Sequence, residues 1–92
     1  MSITTQTRWD SYEKLNKKRL YELILQTLRD VPDGLTAREV AIILYNQGYL
    51  ISNERQATAP RMTELVDKGE IVVIGKREDA VTGKNVAIYS LK

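Results

Sequence analysis

The chain has 92 residues, a formal net charge of +2, and neither cysteine nor histidine. That length fits one domain, and the missing side chains remove disulfides, thiol chemistry, the commonest general base and the commonest metal ligand. Apolar residues at 42% and charged residues at 28% suit a small core under a solvated surface, and no apolar run approaches the roughly 18 residues that cross a bilayer, so a cytoplasmic protein with no membrane partner is expected.

Residues 1–8, MSITTQTR, are polar and aperiodic and are expected to form a flexible N-terminal arm, with the folded domain over 9–92. From about Trp9 to Asp30, Trp9, Tyr12, Leu20, Leu23, Ile24, Thr27 and Leu28 recur at helical spacing. Asp10 or Ser11 can cap this first helix. Asn16 falls on its apolar stripe, and three readings stand: a kink, a second N-cap, or a first half that packs on another chain. Lys14, Lys17 and Lys18 share the opposite face, as a solvated surface or as contacts for phosphate.

Val31-Pro32-Asp33-Gly34 stops the helix, since proline disfavours helical backbone in the residue before it and Asp-Gly favours a turn. Leu35 then begins a short extended piece. Thr36 and Glu39 have the spacing of a capping box for a second helix, TAREVAIILYNQ, with Gly48 as its stop. Val40 to Tyr45 are apolar nearly all round, so this helix is sandwiched or shows an apolar side to a partner.

A third helix is expected from about 53 to 68, bent at Pro60, where an internal hydrogen bond is lost. A start near Thr58 would instead put Pro60 harmlessly in the first turn. Gly69 closes this element. Glu70–Lys76 and Lys84–Leu91, rich in Val and Ile, read as two antiparallel strands joined through Thr82-Gly83 by a loop of about seven residues, longer than a tight hairpin needs.

The order helix, short strand, helix, helix, hairpin, together with RMTELVDKGEIVVIGKREDAVTGKNVAIYSLK at the C-terminal end, resembles the winged helix-turn-helix DNA-binding domain family: an α+β fold of three helices plus a C-terminal two-stranded β-hairpin wing. The resemblance covers 35–91. The TGK turn followed by an apolar strand with a tyrosine is similar to small phage-type bacterial winged-helix proteins. One departure is the link after Gly48, longer than the three or four residues of the tight motif.

The resemblance implies double-stranded DNA as partner, with helix three in the major groove and the wing on the backbone. Arg55, Gln56, Thr58, Arg61 and Thr63 then fall nearest base edges, where Arg forks onto guanine and Gln onto adenine, each for about 1–3 kcal/mol of discrimination. Lys76, Arg77, Thr82 and Lys84 flank the wing loop and reach phosphate oxygens, and Gly83 lets the backbone approach closely. Plainer readings stand beside these. Arg61 and Lys68 lie within a turn of Glu64 and can form surface ion pairs; Glu78 and Asp79 sit in the wing and repel phosphate. Trp9 and the tyrosines at 12, 21, 45, 49 and 89 suit core or interface better than base stacking.

The function expected is a DNA-binding protein, a small transcriptional regulator, with a homodimer possible through helix one, including an exposed Leu25, and the apolar surface of helix two. The alternative is a winged-helix protein-interaction adaptor without DNA binding, suggested by the modest charge and the acidic wing residues. Enzymatic activity is not expected, because no acid, base or nucleophile set has motif-like spacing and no phosphate loop appears. No cofactor and no metal are expected.

Overall fold

The computed structural model describes residues 16–92. The expected arm, the helix start near Trp9 with its Asp10 or Ser11 cap, and Trp9, Tyr12 and Lys14 lie outside the described residues. Three α-helices and a C-terminal antiparallel hairpin follow one another: α1 (Lys17–Asp30), α2 (Ala37–Asn46), α3 (Ala59–Asp67), β1 (Ile71–Glu78) and β2 (Asn85–Leu91), with one 3-10 turn (Arg55–Ala57) ahead of α3. This is an α+β molecule with the layout of a winged helix. No helix among the described residues is long and apolar enough to cross a membrane.

Asn16 acts as an N-cap: its side chain accepts from the Arg19 backbone N–H at 2.8 Å and satisfies a donor that has no partner inside the first turn. The capping box at α2 is complete. Glu39 N–H donates to the Thr36 hydroxyl oxygen (3.2 Å) and Thr36 N–H to the Glu39 carboxylate (2.8 Å). Both α2 and α3 end as the sequence indicates. The N–H two residues past each C-cap reaches back to the Leu44 and Leu65 carbonyls, across Gly48 and Gly69.

Between α1 and α2, Leu35 pairs with Tyr89 through two backbone bonds of 2.9 and 2.8 Å, so β2 runs between β1 and one residue of a third strand. Gly34 makes this approach possible. Its φ is +93°, and a Cβ there would lie 2.8 Å from Ile88 Cγ2 and 2.9 Å from the Tyr89 carbonyl oxygen. Only glycine combines that dihedral with that clearance.

Helix three is shorter than the expected 53–68 and does not bend. It starts at Ala59 with Pro60 in its first turn, and Arg55–Ala57 form a separate 3-10 turn whose bonds run from Ala57 N–H to Glu54 and from Thr58 N–H to Arg55. Pro60 has no N–H to return to Gln56 and its ring would crowd that carbonyl, so the helix cannot continue back through it. The strands keep their expected pairing; β1 extends to Glu78, with a register shift between Val73 and Gly75, which shortens the loop to Asp79–Lys84.

The core is filled from one side of each helix: Leu23, Ile24 and Leu28 of α1, Val40, Ala41 and Leu44 of α2, Met62 and Leu65 of α3, closed by Ile71 and Tyr89 of the hairpin. Burying such side chains contributes about 1.5–3 kcal/mol each and dominates the packing. Leu25, expected to be exposed, is half-buried against this core.

Candidate nucleic-acid interface

The wing turn is built by Asp79. Its carboxylate is nearly fully buried and accepts from Arg38 Nε at 2.7 Å through one oxygen. The other oxygen takes the Thr82 backbone N–H (3.0 Å) and hydroxyl (2.9 Å). The backbone closes the loop twice more, from Gly83 N–H to the Asp79 carbonyl at 2.8 Å and from Asp79 N–H to the Lys84 carbonyl at 2.7 Å. The Arg38 hydrogen bond, aided by those from Thr82, lowers the Asp79 carboxyl to about 2 despite its burial. Asp79 therefore does not stand out in the wing to repel an anion; its charge faces inward onto Arg38. Glu78 remains exposed.

A second tie runs from Arg77 Nη1 to Glu39 Oε2 at 2.6 Å, while the other oxygen of Glu39 caps α2. Two arginine–carboxylate pairs thus brace the hairpin against the N-terminus of α2. They also engage two of the predicted phosphate contacts. Arg77 is paired, and the Thr82 hydroxyl donates to Asp79 while accepting from Lys84 N–H at 3.3 Å, so its proton is committed to the turn. Lys76 and Lys84 are exposed and make no ion pair among the described residues.

Near α3 the predicted residues divide. Thr58 is fully buried, and its hydroxyl donates 2.6 Å to the Ala37 carbonyl; it cannot meet a ligand. It pins the start of α3 to the start of α2 instead, which sets their relation despite the long link after Gly48. Thr63 is exposed, with its hydroxyl turned back to the Ala59 carbonyl at 3.1 Å. Arg61 pairs with Glu64 at 3.1 Å. Lys68 does not share that carboxylate, and its Nζ lies 4.8 Å from the centre of the Tyr21 ring. Along α3 one cation, Arg61, is followed by two carboxylates, Glu64 and Asp67, so positive charge on this side comes from Arg55 before it and from the hairpin lysines.

Arg55 and Gln56 are exposed on the 3-10 turn. With Arg38, Glu54, Val81 and Thr82 they line one shallow groove between that turn and the wing. Of the predicted residues this groove gathers Arg55, Gln56 and Thr82; Arg61, Thr63, Lys76, Arg77 and Lys84 do not line it. Sequence reasoning missed three participants: Arg38, the anchor of the wing; Val81, 70% exposed at the tip; and Tyr21, bonded to Glu64. Only the Asp-Ala-Val-Thr-Gly run around Val81 carries a local signal, since an Asp three residues before a turn Thr commonly bonds it.

A separate apolar row, Ile42 and Tyr45 on α2 with Tyr49 and Ile51 beyond it, is between 38% and 54% exposed. Comparison with family models, with curated proteins and with solved structures returned no match, so the interface rests on its geometry.

Proposed function

We propose that this protein binds duplex DNA as a small, sequence-reading regulator in the cytoplasm, as the likeness to phage-type winged-helix proteins suggests. The 3-10 turn and the start of α3 approach base edges in the major groove, and Lys76 and Lys84 of the wing approach phosphate. The observation that carries this reading is the braced wing: Arg38–Asp79 and Arg77–Glu39 hold the hairpin so that its tip and the turn bearing Arg55 and Gln56 open onto one groove. A rigid scaffold of this kind lowers the ordering penalty of binding.

The test is fluorescence anisotropy with a duplex recovered by selection from a random library, repeated across salt. With Lys76 and Lys84 each neutralising one phosphate, the log–log slope should be about −2. A flat slope, or no binding at low salt, removes the reading.

The apolar row Ile42, Tyr45, Tyr49 and Ile51 supports a second reading, an adaptor that holds another protein without binding DNA. On the first reading the same row would seat a second copy and give a homodimer for a two-fold site. Sizing by light scattering, alone and with duplex, separates the two.

A further inference from the structure

Glu64 lies one turn beyond Arg61 on α3, and three side chains meet at its carboxylate. Tyr21 donates its hydroxyl to Oε1 at 2.6 Å, Arg61 Nε stands 3.1 Å from the same oxygen, and Lys17 Nζ lies 3.5 Å from the other. Tyr21 and Lys17 belong to α1, so the carboxylate is fixed from a neighbouring helix as well as from its own. The Tyr21 hydrogen bond, then the Arg61 and Lys17 charges, hold the Glu64 carboxyl below its usual range, and the same hydrogen bond pushes the Tyr21 hydroxyl up. At neutral pH the carboxylate is charged and the phenol keeps its proton. Lys68 over the Tyr21 ring restrains that ring further.

Arg61 meets Glu64 as an ion pair through Nε, without the geometry of a hydrogen bond. Its two terminal amino groups have no acceptor among the described residues, and the side chain stays 27% exposed. A guanidinium drawn by charge on its Nε side still presents a planar pair of donors, the fork that fits two acceptors side by side. Left alone, an arginine side chain samples many rotamers, and a fork that must be ordered on binding discriminates less well.

We propose that Glu64 is a positioning residue: clamped by Tyr21 from α1, it holds the Arg61 fork in one direction so that it reads a guanine edge. This rests on the duplex-binding reading above. A plain screening role makes the opposite prediction. Glu64 would then only subtract positive charge, and its neutralisation would tighten binding to every duplex by Coulomb's law.

The probes are the library-selected duplex and a scrambled duplex of the same length at one salt concentration, and the readout is the ratio of the two affinities. In Glu64→Gln and in Tyr21→Phe the ratio is expected to fall by about fivefold or more, with scrambled-duplex binding unchanged or tighter. In an Arg61→Ala background, Glu64→Gln should produce no further fall, and Arg61→Lys should lose the ratio as fully as Arg61→Ala. An unchanged or higher ratio in Glu64→Gln overturns the proposal, as does a further fall in the Arg61→Ala background, which would mark a structural role. Tyr21→Phe keeps the ring and its packing, so it carries the test if Glu64→Gln fails to fold. Wild-type protein that binds neither duplex would sink the duplex reading itself, a result distinct from all of these.

Discussion

The wing turn and the turn before α3 look alike in sequence: each is a short polar run with cations, a threonine and small residues. Their side chains do opposite things. In the wing, Asp79 bonds both Thr82 and Arg38, Arg77 bonds Glu39, and Glu78, Val81 and Lys84 are left outward. In the turn before α3, Thr58 is buried and Ala57 packs against the core, while Arg55 and Gln56 remain open to solvent. Polarity in a sequence therefore measures capacity for hydrogen bonding, not availability. A group is available for a ligand only where the fold supplies no nearer partner.

The change that would break this contrast most deeply is Gly34→Ala, beneath the stem of the hairpin. Adding a Cβ at φ +93°, 2.9 Å from a backbone oxygen, combines a left-handed backbone with overpacking and should destabilise the protein by about 2–4 kcal/mol. Urea denaturation measures it; a loss within about 0.5 kcal/mol, ordinary for surface sites, would mean that the Leu35–Tyr89 approach is not fixed.

Next comes Asp79→Asn, which removes the charge facing Arg38 and should lower Tm by about 5–10 °C. It carries a pH signature. The folded carboxyl lies near 2, below an unfolded value of about 3.9. Its contribution is therefore complete above about pH 4 and disappears as pH falls towards 2. Wild-type Tm should drop across that window, and Asp79→Asn should drop less. Parallel curves for the two proteins would show that the Arg38 contact does not stabilise the fold.

Much of the frame is legible in the sequence because it is local. Caps at Thr36 and Glu39, stops at Gly48 and Gly69, and the Val- and Ile-rich runs of the hairpin all lie within a turn or a strand. Sequence reasoning fails where partners are remote along the chain. Arg38 and Asp79 are 41 residues apart, Tyr21 and Glu64 are 43, and Thr58 and Ala37 are 21; no periodicity links them. For helix three, Pro60 leaves two starts open in the sequence, one near 53 with a bend and one near Thr58 without, and only the fold, in which Arg55–Ala57 form a separate turn, decides between them. Within the candidate site, Arg55 and Gln56 are exposed as expected. The pairing of Arg77 is not foreseeable from its own neighbourhood, since its acceptor Glu39 lies 38 residues away, whereas the Asp79–Thr82 bond is local.

The finest test sets Thr58→Val beside Arg55→Ala. Thr58→Val keeps the buried volume but deletes the donor to the Ala37 carbonyl, and should reduce stability by about 1–2 kcal/mol. On the duplex-binding proposal it should weaken selected and scrambled duplex alike, because it loosens the angle of α3 and leaves every base-reading side chain in place. Arg55→Ala lies at an exposed position without an ion pair among the described residues, so its stability change should stay within about 0.5 kcal/mol. Its effect belongs to binding: a loss of about tenfold for the selected duplex, with the salt slope unchanged because the phosphate contacts remain. If the two variants exchanged these signatures, with Arg55→Ala destabilising the fold and Thr58→Val sparing it, the inward and outward assignments of the turn would be reversed, and the groove between turn and wing would lose its case as a binding surface.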